Sequence, residues 1–158
     1  PASHLPNYGF MLIKEQPLLV PPSPKSFGAL MELYENNYIQ LRLLCGDFQT
    51  LEPLKISRKG NLLPLQLMVE ESSKHTTSVQ LTYIFQGGLH SQETRPDMRI
   101  RIYHDARQAE VISHRCRISE DFLKYNNIPV DRMLHCRWRM NRFLYKWIKY
   151  LQIQGHKF

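Results

Sequence analysis

The sequence predicts an α+β fold: an antiparallel sheet of four to five strands with an N-terminal and a C-terminal helix packed on one face. Apolar residues recur with a helical period over 24–45 and 133–154, and they alternate with polar residues over 65–113. The length is the third observation, because 158 residues suffice for one hydrophobic core and not for two domains of ordinary size. We therefore expect a single domain at 24–158, preceded by an arm at 1–23.

Proline is concentrated at the start of the chain, where the first 24 residues hold six of the ten prolines. Each proline fixes φ and removes a backbone donor, so the proline-rich arm at 1–23 is expected to be extended. Its apolar side chains predict that it lies on the domain or on a partner.

The first helix is bounded by residues that suit helix ends. Ser23 followed by Pro24 suits an N-cap and a first helical position, and Gly46 suits a left-handed stop. Between them, an apolar stripe about 100° wide indicates packing on a core rather than a ligand site. The stripe consists of Phe27, Leu30, Met31, Tyr34, Tyr38, Leu41 and Cys45.

Two β-hairpins are predicted in the middle of the chain. In the first, apolar and polar residues alternate over 65–70 and again over 77–85, with turn residues between them. In the second, the alternation runs over 98–103 and returns over 109–113, after a turn near 105–108. One face of such a sheet is apolar and can be covered by both helices, whereas the other can stay polar.

The last helix is predicted to begin near Met133 and to end at Gly155, with one apolar side that packs on the sheet. Its basic residues share a stripe, made of Arg132, His135, Arg139, Arg142, Lys146 and Lys149. The last four cations fall within an arc of about 80° with no acidic residue between them. Their mutual repulsion is therefore not relieved within the helix.

The net charge of +7 is unevenly distributed along the chain. Residues 1–94 hold 7 Lys and Arg against 8 Asp and Glu, and residues 95–158 hold 14 against 6, so the two parts carry −1 and +8. This asymmetry has two interpretations: a surface for an anionic partner, or a solvated basic face that keeps the protein soluble.

Several protein classes are disfavoured by the composition. No apolar run reaches the length of about 18 residues that a membrane span needs, and Lys14, Glu15 and Pro17 break the apolar run near the start. The same residues spoil a signal peptide. Three cysteines with wide spacing do not suggest a disulfide framework. We therefore expect a cytoplasmic protein without a membrane partner.

The densest polar cluster is predicted at the second hairpin. If residues 106–107 form a two-residue turn, Tyr103 lies opposite Glu110, and Arg101 is their diagonal neighbour on the same face. The result is a cluster of Arg101, Tyr103 and Glu110. It is either part of a ligand site or a structural group of ion pairs on the sheet surface.

The neighbouring residues His104 and Asp105 are further candidate binding residues. His104 should point to the opposite face, because neighbours on a strand alternate, so the two are poorly placed to act together. The alternative for His104 is a satisfied, partly buried histidine. The spacing of the histidines and cysteines predicts no metal site, and no phosphate loop, dinucleotide fingerprint or catalytic serine motif predicts a cofactor or a reaction.

Arg137 and Asn141 interrupt the apolar side of the last helix. Buried polar groups cost about 1–3 kcal/mol when unpaired, so this pair must find partners or open onto water. Either the pair caps a polar pocket between helix and sheet, or Arg137 lies in the exposed first turn and extends its charged end to solvent.

Three sequence blocks carry a family resemblance: ENNYIQLR at 35–42, PDMRIRIYHDA at 96–106 with AEV at 109–111, and NRFLYKW at 141–147. On these blocks the chain resembles the YqiB-like family of uncharacterised bacterial proteins, a domain of unknown function. The resemblance implies a cytoplasmic bacterial protein. It supplies no established activity, cofactor or catalytic residue that could be assigned to this chain.

Two functional hypotheses follow. The first is a non-enzymatic binding module whose basic C-terminal helix or polar sheet face meets an anionic partner: nucleic acid, a nucleotide or an acidic protein surface. The second is an enzyme or small-ligand-binding protein with a polar pocket between the sheet and the C-terminal helix. That pocket would be lined by Arg101, Tyr103, Asp105, Glu110, Arg137 and Asn141. The hypotheses are distinguished by whether these residues converge in a concave pocket, and we favour the first.

Overall fold

The computed structural model describes residues 26–85, 97–112 and 130–158, with the side chains of the last range described from Arg132 onward. The elements in these ranges are α1 Phe27–Cys45, β1 Leu54–Ser57, β2 Leu65–Ser72, β3 Thr76–Tyr83, β4 Asp97–Tyr103, β5 Gln108–Ile112 and α2 Val130–Ile153. A short 3₁₀ helix, Phe48–Thr50, lies between α1 and β1. The predicted arm at 1–23 lies outside the described residues.

The five strands form one sheet in which chain order is also spatial order, β1-β2-β3-β4-β5. Every pair is antiparallel, and β2 carries an irregularity between Val69 and Glu71. The predicted α+β fold is therefore confirmed, with five strands. Among the described residues, the two outer strands, β1 and β5, each pair with one neighbouring strand, so each has one edge without a strand partner there.

The core lies between one face of the sheet and the two helices. Alternate residues of the strands, such as Leu65 and Leu67 in β2 and Ile100 and Ile102 in β4, are fully buried. They form one cluster with Leu41 of α1 and the buried side of α2. Both helices therefore cover the same face, because alternation places the apolar side chains of all strands on one side.

The helix ends differ in part from the prediction. The N-cap of α1 is Ser26, whose Oγ accepts a hydrogen bond from the Ala29 amide over 3.1 Å, so the predicted start at residue 24 is too early. Phe27, placed in the buried stripe by its spacing, is 61% exposed in the first turn. Gly46 ends α1 with φ of 76°, as predicted. The last helix begins at Val130, three residues before the predicted start.

The C-terminal tail folds back onto α1 and β1. The Phe158 amide donates to the Leu44 carbonyl over 2.9 Å, and the Lys157 amide donates to Ser57 Oγ over 3.3 Å. His156, between them in the tail, is buried. The tail therefore closes the end of the core beside the edge strand β1.

Two cysteines lie in the described ranges. Cys45 is buried and free, whereas Cys136 is disulfide-bonded, which differs from the expectation that the cysteines form no disulfide framework. None of the helices in these ranges is long and apolar enough to span a bilayer.

Candidate functional site

The helix α2 presents two opposite sides. Its buried side, which includes Asn141, Leu144 and Trp147, packs into the core. The other side carries four exposed cations, Arg139, Arg142, Lys146 and Lys149, which we call the basic face. A helix places residues at 100° intervals, so the same spacing that puts one set on the sheet turns the other toward solvent.

The charge of the basic face is not neutralised within the described part of the chain. The helix as a whole holds six Lys and Arg against one acidic residue, Asp131. Among the described residues, Arg42 forms an ion pair with Asp47 and Arg99 with Glu70, and His75 Nδ1 lies 2.7 Å from Asp105 Oδ2. None of these contacts includes a cation of the basic face, so the basic face has no acidic partner among the described residues.

Aromatic rings flank the basic face. The guanidinium carbon of Arg142 lies 5.0 Å from the centroid of the Trp138 ring, and Nζ of Lys149 lies 5.0 Å from the centroid of the Tyr145 ring. Both rings are half-buried. Each contact is within the range in which a cation is attracted to the face of a ring.

The Arg–Tyr–Glu cluster forms on the sheet, but with a different register from the prediction. Arg101, not Tyr103, lies directly opposite Glu110, and Tyr103 is paired with Gln108. The two-residue turn is therefore wrong: the turn spans residues 104–107. Tyr103 still reaches the carboxylate diagonally, because its hydroxyl donates to Glu110 Oε1 over 2.6 Å.

Two further side chains reach this cluster from the helices. Tyr34 of α1, buried in the interior, interacts with both Glu110 and Arg137. Burial and the charge of Glu110 raise the pKa of Tyr34 to about 12. Burial and the hydrogen bond to Glu110 also raise the pKa of Tyr103. Both hydroxyls therefore keep their protons at neutral pH. Through the contacts of Tyr34 with Glu110 and Arg137, the cluster connects β5 to α1 and α2.

The candidate residues of the turn lie apart from this cluster. His104 Nε2 and Thr77 Oγ1 are 2.8 Å apart, and the histidine is half-buried, as expected for a satisfied histidine. Asp105 Oδ2 lies 2.7 Å from His75 Nδ1, with both side chains exposed. His104 and Asp105 thus have separate partners.

Asn141 is a structural connector between α2 and the sheet edge. Its Oδ1 accepts the Val111 amide of β5 over 2.9 Å, and its Nδ2 donates to the Arg137 carbonyl over 2.8 Å. The Asn141 carbonyl accepts Asn37 Nδ2 over 3.1 Å. Asn141 is fully buried, and its amide hydrogen-bonds to backbone groups. It therefore neither caps a polar pocket, which was the first predicted alternative, nor opens onto water. Arg137 is exposed, close to Tyr34.

Sequence reasoning missed four polar residues. Tyr34 has the spacing of the apolar stripe, but its hydroxyl interacts with Glu110 and Arg137. Asn37 is the detectable case, because it follows Tyr34 by three residues and precedes Leu41 by four, which places a polar side chain on the buried stripe. Ser57 and His156, with Oγ and Nδ1 2.9 Å apart, are separated by 99 residues, and no local pattern connects them.

Groups that could hold a metal ion are absent from the described ranges, where no three His, Cys, Asp or Glu side chains come together. Most polar side chains of these clusters hydrogen-bond to one another or to the backbone, whereas two buried atoms, Asn37 Oδ1 and His156 Nε2, have no hydrogen-bond partner. The arrangement therefore offers the exposed basic face as its main unoccupied polar surface among the described residues.

Comparison with known proteins gives one match. No curated protein and no solved structure matches the chain. A family model, described as Protein of unknown function (DUF1249), matches residues 40–157. That range covers the sheet, α2 and the C-terminal tail, which is well over half of the chain. The chain therefore belongs to the DUF1249 family of proteins of unknown function.

Proposed function

We propose that the protein is a non-enzymatic binding module and that the basic face of α2 binds nucleic acid. One observation carries the proposal: Arg139, Arg142, Lys146 and Lys149 are all exposed, point away from the core and have no acidic partner among the described residues. Clustered cations on one helix face form the electrostatic footprint that a phosphate backbone complements.

The enzyme alternative has less support from the geometry. Glu110 lies opposite Arg101 on the neighbouring strand and accepts a hydrogen bond from Tyr103. Tyr34 interacts with both Glu110 and Arg137. Asp105 lies at an exposed turn with His75, and Asn141 uses its amide on the backbone. The six residues therefore do not all come together in one pocket. The four that lie close together contact one another or Tyr34. A general base needs a free acceptor within reach of a substrate proton.

Fluorescence anisotropy with labelled oligonucleotides tests the proposal. Binding at low salt should weaken steeply as salt rises, with a slope of log K against log salt of about −3 for four phosphate contacts on a single strand. A variant with all four cations changed to Gln should bind weakly and lose most of this slope. Its melting temperature should stay near that of the wild type, because the four side chains are exposed.

A matched control removes the same amount of charge from elsewhere on the surface. The control changes four other exposed cations to Gln: Arg58, Lys59, Lys74 and Lys157. It should retain most of the affinity, since a general effect of net charge would weaken both variants equally. Equal losses in the two variants, or no binding by the wild type at tens of micromolar protein, would contradict the proposal. A nucleotide or an acidic protein would then remain as the anionic partner.

We also propose that the DUF1249 match corresponds to the YqiB-like bacterial family and that the protein is cytoplasmic. The three resembling blocks support the family, and the buried free thiol of Cys45 is compatible with a reducing compartment. The disulfide at Cys136 argues the other way, since such bonds are rare in the cytosol. Cell fractionation decides: recovery of the protein in the cytoplasmic fraction supports the proposal, and recovery in the periplasmic or membrane fraction contradicts it.

A further inference from the structure

The solvent side of α2 contains a repeated unit. Trp138, Arg139 and Arg142 have the same relative positions as Tyr145, Lys146 and Lys149: an aromatic residue, a cation one residue later and a second cation four residues later. The two units are seven residues apart, which is two helical turns. They therefore face the same side of the helix.

The structure gives both units the same local arrangement. In each, the second cation lies 5.0 Å from the centroid of the ring that begins the unit. In each, the ring is half-buried and the two cations are exposed. Each unit thus combines a ring, a cation over one face of that ring and another cation next to the ring residue in the chain. A base that stacks on the covered face displaces the cation over it toward the neighbouring phosphate, and rings with such cations are the groups that a base and its phosphates require.

We propose that the two units are successive subsites for single-stranded nucleic acid, with a base stacked on Trp138 and another on Tyr145. This inference rests on the proposed function of the basic face and specifies its ligand. The cations of each unit contact the phosphates beside the stacked base. Stacking on aromatic side chains is tolerant of sequence because every base has a flat aromatic face.

The spacing of the units favours a single strand over a duplex. Seven residues of helix advance about 10.5 Å, about three times the 3.4 Å base spacing within a duplex strand. Bases in a duplex also have both faces covered by their neighbours, so a ring cannot stack on them without unstacking the helix. A single strand with splayed bases can span the distance of about 10.5 Å between the two rings and expose the face of each base for stacking.

A membrane surface fits the same face less well. A helix that lies on a bilayer buries its apolar side among the acyl chains, whereas the apolar side of α2 is buried against the sheet. The middle of the exposed side is charged. Phe143 and Tyr150 are exposed large apolar residues that lie beside the basic face, and the exposed Ile153 lies in line with it, one turn beyond Lys149 at the end of the helix.

The test compares ligands and variants that separate stacking from charge. The ligands are a twelve-residue oligothymidylate, a strand of equal length and charge without bases, the matched duplex, and vesicles of anionic phosphatidylglycerol. The ring variants are Trp138→Leu and Tyr145→Leu, which keep all cations. Tyr150→Leu is the control, because Tyr150 is exposed on the same helix and is followed by no cation at either position of the unit.

The wild type should bind the oligothymidylate more tightly than the abasic strand or the duplex. Each ring variant should lose between about fivefold and about 150-fold of the affinity for oligothymidylate, with the salt slope unchanged because no charge is removed. Binding of the abasic strand should not change, and Tyr150→Leu should match the wild type. Equal binding of oligothymidylate and abasic strand, with unaffected ring variants, overturns the stacking inference and leaves the proposed function intact. Binding to vesicles alone overturns both.

A second readout avoids substitution of Trp138. The chain contains two tryptophans, so the variant Trp147→Phe leaves Trp138 as the single tryptophan reporter. A base stacked on the ring should quench its fluorescence on addition of oligothymidylate, and the abasic strand should not. Equal responses to the two strands would overturn the inference even if a ring variant failed to fold.

Discussion

Replacing Asn141 by Ala should destabilise the protein by about 2–4 kcal/mol. The fully buried amide provides the acceptor for the Val111 amide. Val111 is on the edge strand β5, and a buried N–H left without a partner costs about 1–3 kcal/mol. The lost bond to the Arg137 carbonyl adds about 1 kcal/mol, since a typical hydrogen bond contributes 0.5–1.5 kcal/mol.

The effect is measurable by urea unfolding or as a melting temperature lower by about 5–15 °C, at roughly 2–4 °C per kcal/mol for a chain of this size. Asn36→Ala is the matched control: the side chain of Asn36 makes no hydrogen bond with the described residues, and Ala has the higher helix propensity. Hydrogen exchange of the Val111 amide should accelerate in Asn141→Ala. A loss below 0.5 kcal/mol, or an unchanged Val111 amide, would refute the connector role.

Three further predictions concern other buried groups. Trp147→Ala should cost about 3–5 kcal/mol in urea unfolding, because a large aromatic leaves a cavity; Trp147→Phe should cost less, losing chiefly the bond to Tyr83. A melting midpoint within two degrees of wild type for Trp147→Ala would contradict this. Burial and the charge of Lys59 lower the pKa of His156 below 6.5 in the folded protein. As the pH falls, the histidine of the unfolded chain therefore takes up its proton at a higher pH than that of the folded chain. Stability should be full above pH 6.5 and fall as the pH drops through the folded-state pKa, and urea midpoints of His156→Gln should show less of this decline. Burial raises the pKa of the Cys45 thiol to about 12, so it should react with a thiol reagent at pH 8 only after unfolding; rapid reaction of the folded protein would contradict its burial.

Much of the fold could be predicted because its signals are local. In β2 to β5 every second residue of the strand is apolar in most positions and points to the core side of the sheet. Most of these residues are buried, as the pattern predicts. The helical period of α2 likewise predicts both its buried side and its basic face. The ends of the helices were less accurate, because Ser23 and Ser26 are both acceptable N-caps and the sequence does not decide between them.

The register of the second hairpin could not be predicted. The turn contains Arg107 at φ of 53°, in the left-handed region that residues other than glycine rarely adopt. No glycine or asparagine marks this position. The two-residue turn was therefore a reasonable but wrong interpretation, and the cluster of Tyr103 with Glu110 survived because both registers keep the two residues on one face.

Only part of the candidate site could be predicted, because only part of it is encoded by local sequence. The basic face is encoded within one helix, whereas the contacts of Tyr34, Asn37 and His156 depend on which elements become neighbours. Asn37 and Asn141 are 104 residues apart in the chain, and no periodicity connects them. Polar residues on a buried stripe indicate that a partner must exist, but they do not say which.

The most direct test of the central claim is an NMR titration of the isotope-labelled protein with a twelve-residue oligothymidylate at low salt. The account predicts that the largest chemical-shift changes fall on residues 138–149 and fade as salt is added, with the edge strand β1 and the turn at 104–107 unaffected. Shift changes centred on Glu110 and Tyr103, or the absence of any change at residues 138–149, would contradict it.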